Sequence, residues 1–234
     1  MLGVVKRALY LLKNRKDMKK SFLILVSFIF SVSLMAQEKA TPVSDVNALK
    51  SEMQQSASKI KTISSDFTQE KFMSVMASKM VSKGKFYYQK EDKVTLQYLT
   101  PFKQNLVMNG TKLMMEANGK KNVLDATSNP MMAELKKVIS ACMGGNIASM
   151  GSDYKLEFFQ TGGLYLIKIY PQSANIKKVA EMVDLYLDKK DFSVVKMKML
   201  EPLKKGQKTN DYTEYIFENK KFNSPIDASV FSIK

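Results

Sequence analysis

Residues 93–125, KVTLQYLTPFKQNLVMNGTKLMMEANGKKNVLD, decide the fold. Apolar and polar residues alternate here with a period of two, the spacing of a strand whose two faces meet different surroundings. Val94, Leu96 and Tyr98 share one face, while Thr95 and Gln97 share the other. Asn109-Gly110 and Asn118-Gly119 break the pattern with residues that favour tight hairpin turns. Strands joined by such short turns must run antiparallel to their neighbours.

Working outward, the same pattern continues on both sides. Towards the N-terminus lie segments 62–74 and 79–89. Beyond 125, segments 154–159, 164–170, 179–188, 193–200, 212–218 and 229–233 read as strands, separated by turns such as Gly162-Gly163 and Lys189-Lys190-Asp191. Only two stretches carry a clear helical period. In residues 44–61, Ser44 is placed to cap, and Val46, Leu49, Met53, Ala57 and Ile60 form a stripe. In residues 129–145, Asn129 and Pro130 suit a helix start and Gly144-Gly145 its end. The stripe there is Met131, Leu135, Val138, Ile139 and Cys142. A short third helix is expected near 146–151. About 11–12 antiparallel strands with two or three helices predict an α+β, mainly antiparallel fold. A sheet that wide curls, so the expectation is a curved, incomplete β-barrel with a helical lid over a hydrophobic hollow.

Before residue 37 the chain reads differently. Residues 22–35 hold 14 uncharged, mostly apolar residues behind Lys19-Lys20, with Ala36 after them. That is shorter than the ~20 residues of a membrane span and has the layout of a secretory signal peptide. Residues 1–36 are expected to be leader, its compact form starting at Met18, and residues 37–234 a single exported domain in the periplasm. Removing the leader lowers the formal charge from +15 to +9. The lysines are scattered through turns and strand faces, which argues for a solvated surface or attraction to anionic lipid rather than a nucleic-acid site.

The chain has no His and one Cys. Histidine chemistry, thiolate zinc sites and disulfides are thereby excluded. No phosphate loop or nucleophile elbow occurs. No cofactor, metal site or catalytic group is expected, and Cys142 reads as a small buried hydrophobe. The inward strand faces are instead aliphatic, aromatic and methionine-rich: Phe86 and Tyr88; Val94, Leu96 and Tyr98; Leu106 and Met108; Leu113 and Met115; Val195, Met197 and Met199. Fourteen of the 17 methionines lie after residue 36. Methionine-rich faces serve two ends equally well on this pattern, a packed core or a pocket for varied apolar ligands.

Several motifs appear in a fixed order. They are Asp66-Phe67-Thr68-Gln69, Gly84 before Lys85-Phe86-Tyr87-Tyr88, Lys93 to Tyr98, Pro101, Asn109-Gly110-Thr111-Lys112-Leu113, and Ile226 to Phe231. The ordered set resembles the periplasmic carriers of outer-membrane lipoproteins, the LolA family. The resemblance implies an incomplete barrel with a helical lid over a cavity for acyl chains. It also implies a cycle in which a monomeric carrier takes lipoproteins from an inner-membrane ABC-type release complex and passes them to an outer-membrane acceptor. On that basis the cavity residues are Phe86, Tyr88, Val94, Leu96, Tyr98, Met108, Met115, Val195, Met197 and Met199, and the lid residues Met131, Leu135, Val138, Ile139 and Cys142. The family's lid-controlling turn arginine falls on Lys90, which lacks the planar guanidinium fork. A ligand-sensing envelope module built on the same fold stands as the alternative.

Overall fold

A computed structural model describes residues 39–76, 78–90, 93–125, 127, 133, 136, 138, 140–141 and 147–233. The chain divides into Met1–Lys39 and Ala40–Lys234. The described strands and helices all lie in the second unit, and the expected leader lies outside the described residues.

Twelve antiparallel strands form one sheet. They are β1 (Thr41–Pro42), β2 (Thr62–Met73), β3 (Ser78–Gln89), β4 (Lys93–Thr100), β5 (Gln104–Asn109), β6 (Lys112–Ala117), β7 (Lys120–Asp125), β8 (Tyr154–Thr161), β9 (Leu164–Pro171), β10 (Met182–Asp188), β11 (Val194–Leu200) and β12 (Tyr212–Phe222). The order is β1-β8-β9-β10-β11-β12-β2-β3-β4-β5-β6-β7, so the sheet is open, with β1 and β7 as its edges. Two meanders, β2–β7 and β8–β12, are joined by the pairing of β12 with β2.

This order dictates where the helices go. Helix α1 (Val46–Lys59) must carry the chain from edge strand β1 to central strand β2. Residues 126–153 must carry it from edge strand β7 to β8, beside the opposite edge. Both connections cross one face of the sheet. Leu49 and Met53 of α1 are buried there, joined by Ala141, Ile147 and Met150 from the second connection. Ala133, Lys136, Val138, Ser140 and Ala141 are helical, and residues Ile147–Asp153 form the expected short turn as 3-10 helix.

Four sequence-based expectations change. Asp45, not Ser44, caps α1, its carboxylate accepting from the Ala48 N–H at 2.9 Å. The strand expected from Val179 begins at Met182; ahead of it stands a short helix, Ala174–Lys177, with Ile176 buried. β12 runs to Phe222, past a register shift between Glu218 and Lys221. The strand expected over 229–233 is a 3-10 turn, Ala228–Phe231, capped by Asp227, which accepts from the Ser229 N–H at 2.8 Å. An Asx cap of this kind favours a turn over an extended chain. The turn's carbonyls go to side chains instead of a strand partner: Val230 O accepts from Thr95 Oγ1 and Phe231 O from Asn109 Nδ2, each at 2.9 Å.

Candidate functional site: the covered face of the sheet

Two rows of side chains define the face crossed by the helical segments. Across β2–β7 the register lines up Ile63, Tyr88, Val94, Met108, Leu113 and Leu124. Beside it run Ser65, Phe86, Leu96, Leu106 and Met115. Across the other meander the row is Phe158, Ile167, Leu185, Met197, Tyr215 and Gln69. One contiguous apolar cluster spans both meanders, from Leu113 on β6 to Phe158 on β8.

Of the residues chosen from the sequence, Phe86, Tyr88, Val94 and Met108 are buried in this cluster. Leu96, Tyr98, Met197 and Met199 lie against it half-buried. Met115 shares their row but is exposed. Val195 does not join them. The pairing of β10 with β11 slips between Tyr186 and Leu187, so that Leu187 pairs with Val194 and Tyr186 with Lys196. This bulge leaves Val195 unpaired and turns Val194 inward in its place. Of the lid residues, Val138 packs on the cluster. Met131, Leu135, Ile139 and Cys142 lie outside the described residues. Lys90 is exposed in the turn after β3, its N–H donating to Lys61 O at 2.8 Å, just beyond α1.

The sequence choice concentrated on the first meander and, in the second, reached only β11. Phe158, Ile167, Ile169, Val183, Leu185 and Leu187 are buried on the same face. The period-two pairs Ile167/Ile169 and Leu185/Leu187 were the available signal.

A short chain of polar groups enters this face. Tyr98 and Tyr215 share a hydroxyl–hydroxyl hydrogen bond at 3.2 Å, and Gln69 Nε2 donates to Tyr215 Oη at 3.0 Å. The Phe67 ring stands edge-on to Tyr98 with centroids 5.0 Å apart. Burial drives the Tyr215 phenol well above its ordinary range, and the Tyr98 hydroxyl adds to the effect. Burial also raises Tyr98, against a lowering from the hydrogen bond of Tyr215. Both are therefore neutral hydrogen-bonding groups at physiological pH. Two further hydroxyls, Ser65 Oγ on β2 and Ser140 Oγ in the helical connection, are buried without a hydrogen-bond partner. A buried hydroxyl in that state is costly. Among the described residues no group of three or more Cys, Asp or Glu is placed to hold a metal ion.

The geometry is thus a wide apolar face, bridged by helices, with a short polar chain within it. Residues 58–234 match the family model for the outer membrane lipoprotein carrier protein LolA. The chain belongs to the LolA family. No curated protein matches the sequence. Among solved structures, a LolA superfamily protein from Nitrosomonas europaea is similar at 10% identity and a TM-score of 0.40, over 79% of this chain and 97% of that one. The MucA/MucB complex of Pseudomonas aeruginosa gives 14% and 0.46, over 79% and 61%. Lipoprotein LppX of Mycobacterium tuberculosis gives 12% and 0.39, over 78% and 99%. No helix among the described residues is long and apolar enough to cross a membrane.

Proposed function

We propose that this LolA-family chain is a periplasmic carrier. Residues 1–36 direct export and are removed; residues 37–234 then bind the acyl chains of lipoproteins, or of a related lipid, and move them from the inner to the outer membrane. A release complex in the inner membrane and an acceptor in the outer membrane complete the cycle. No enzymatic step is involved. The observation that carries this reading is the incomplete filling of the covered face. Leu96, Tyr98, Leu106, Met197, Met199 and Tyr215 sit on the apolar side yet stay half-buried. Such a surface gains roughly 25 cal/mol for each Å² that an acyl chain removes from water. Methionines at 197 and 199 suit chains of variable shape. The carrier has no energy source, so loading and release are shifts between populations set by the donor and acceptor.

The test places a charge on the face. Leu96 lines up with Phe86 and Leu106 in the half-buried row. Leu96→Glu is expected to keep a near-parental unfolding temperature, because the site is not fully packed, and to bind a fluorescent fatty-acyl probe at least about tenfold more weakly. The natural control on the opposite face would be Thr95, expected from alternation to tolerate substitution. Thr95 does point away, but it is buried beneath the C-terminal turn and bonded to Val230 O. Gln97, exposed on that same opposite face, is the proper control. Gln97→Glu should bind the probe normally. Parental probe binding by Leu96→Glu refutes the site; outright unfolding makes the position packed core and removes it from the cavity.

A further inference from the structure

The large apolar side chains that remain exposed are not scattered. Among the described residues, seven of the ten, Val75, Met76, Met80, Val81, Leu99, Phe102 and Leu203, lie at one end of the sheet. The strand register brings them together. Tyr212 pairs with Phe72, which puts the β11–β12 loop beside the β2–β3 hairpin tip, and Lys83 pairs with Thr100, which puts the β4–β5 loop on the hairpin's other side. Measured across the strands, adjacent loops along this edge are thus about 10 Å apart.

On its β4 side the hairpin also stands clear of its neighbour. β3 residues 78–82 pair with β2 but have no partner on the β4 side, since β4 ends at Thr100 opposite Lys83. The overhang is five residues, about 17 Å. Met80 and Val81 are neighbours on a strand and point to opposite faces, yet they are 44% and 50% exposed, so neither face of the overhang is covered. At the tip Val75 is 81% exposed, and Phe102 on the neighbouring loop 72%. The tip is nevertheless held: the Ser74 N–H and hydroxyl both donate to Asp211 Oδ1, at 2.8 and 2.7 Å.

Charge identifies the occupant. Lys103, Lys120, Lys177, Lys178, Lys205 and Lys208 are exposed in the loops and strand ends of this same edge. Of the acids here, Glu70 is engaged by Lys79 at 2.8 Å and Glu201 and Asp211 by Lys204, each at 3.3 Å, while Glu181 accepts from Asn210 Nδ2 at 2.6 Å. An exposed apolar tip among exposed lysines complements a bilayer whose headgroups are anionic and whose interior is apolar. We infer that this end of the molecule docks directly on an anionic lipid surface, inserting Val75, Met76, Met80, Val81 and Phe102. The proposal deepens the carrier reading by giving the carrier its own contact with a membrane, but it stands on different residues.

The absence of tryptophan from the chain supplies the reporter. The protein used is residues 37–234, which contains every strand and the whole core cluster. Val75→Trp should show blue-shifted emission, and quenching by brominated acyl chains, on adding phosphatidylglycerol-containing vesicles at low salt. Val123→Trp, exposed on β7 away from this end, should show neither. In vesicle flotation, a Val75→Ser/Met76→Ser/Phe102→Ser variant should lose at least about fivefold in bound fraction, and 0.5 M NaCl or purely zwitterionic vesicles should lower parental binding similarly. The fatty-acyl probe should bind this variant as it binds the parent. Loss of probe binding in the parent with flotation intact would sink the carrier reading and leave the docking surface standing. A parent that does not float, a variant that floats equally well, or crosslinks from position 75 in cells that capture a protein and no lipid would each overturn the docking surface.

Discussion

Gly84→Ala tests how the first meander is held against the apolar face. Gly84 lies on β3 where the β3–β4 pairing slips by one residue. A Cβ at this position would sit 2.1 Å from the Gln97 carbonyl oxygen and 2.7 and 2.8 Å from Cε1 and Cζ of Phe67. The carbonyl belongs to the backbone of β4 and cannot turn aside. Phe67 has little freedom either, being 2% exposed and packed on the rings of Tyr98 and Tyr215 at 5.0 and 6.0 Å. Overpacking typically costs about 1–3 kcal/mol, and a clash with backbone belongs at the upper end, about 3 kcal/mol. For a domain of this size that lowers the thermal midpoint by about 6–12 °C. Gly163, with nothing within 4 Å of its Cβ position, is the control, and Gly163→Ala should move the midpoint by less than about 2 °C. Thermal and urea unfolding followed by circular dichroism read both variants. Adding Phe67→Leu to Gly84→Ala should recover only part of the loss, because the carbonyl overlap persists. A Gly84→Ala protein that melts within about 2 °C of the parent would refute the close approach of β3, β4 and Phe67.

The Asp211 carboxyl is held down to about 2, chiefly by the Ser74 N–H and hydroxyl, so its contribution is complete above the ordinary carboxylate value of 3.8 and is lost as pH falls towards 2. Amide exchange of the 70–82 hairpin, read by mass spectrometry, should therefore rise across that window relative to the other strands, and Asp211→Asn should show the faster exchange already at pH 6; equal exchange in both proteins would refute the anchor. Tyr215→Phe removes the hydroxyl that joins Gln69 to Tyr98 and should cost about 1–2 kcal/mol in urea unfolding, a loss that vanishes if the chain is not buried. Thr95→Val keeps the shape but leaves Val230 O without its donor, and should speed exchange in the C-terminal turn while costing about 1 kcal/mol.

The strands were legible because one face of this sheet meets water and the other meets apolar groups, and alternation records that difference residue by residue. Val94, Leu96 and Tyr98 fall on one side as the pattern required. What escaped depends on partners distant in sequence or on single insertions. Thr95 was assigned to the opposite face correctly, but its cover, the turn at Val230, comes from 135 residues away. Val195 obeyed the alternation of its own segment; one unpaired residue in β11 reset the phase against β10. Residues 229–233 are rich in strand-favouring Val, Phe and Ile, yet a local Asp227 cap and two side-chain donors hold them as a turn. The exposed hairpin tip read simply as part of two strands, since only the early end of β4 shows that it overhangs.

The two faces of the sheet differ in chemistry. On the convex side, Glu157, Lys168, Asp184, Lys198, Glu214 and Glu70 line up across β8–β12 and β2. Lys168 and Asp184 meet at 3.0 Å, and Lys196 and Lys198 lie over the rings of Tyr186 and Tyr212 at 4.2 and 4.0 Å. That half is solvated by design of its charge row, and the other half is partly occupied by the C-terminal turn. On the covered side, twelve strands span about 53 Å at 4.8 Å spacing, whereas two helices about 10 Å across cover roughly 20 Å. Flat, such a sheet would leave more than half its apolar rows in water. Residues from both meanders join one cluster, Phe86 meeting Phe217 at 5.2 Å where the meanders join, and Leu96, Leu106, Met197 and Met199 lie against it half-buried. On the proposed carrier reading, a chain of methylene groups is the simplest object that would cover these half-buried side chains, because it demands no hydrogen bonds from them.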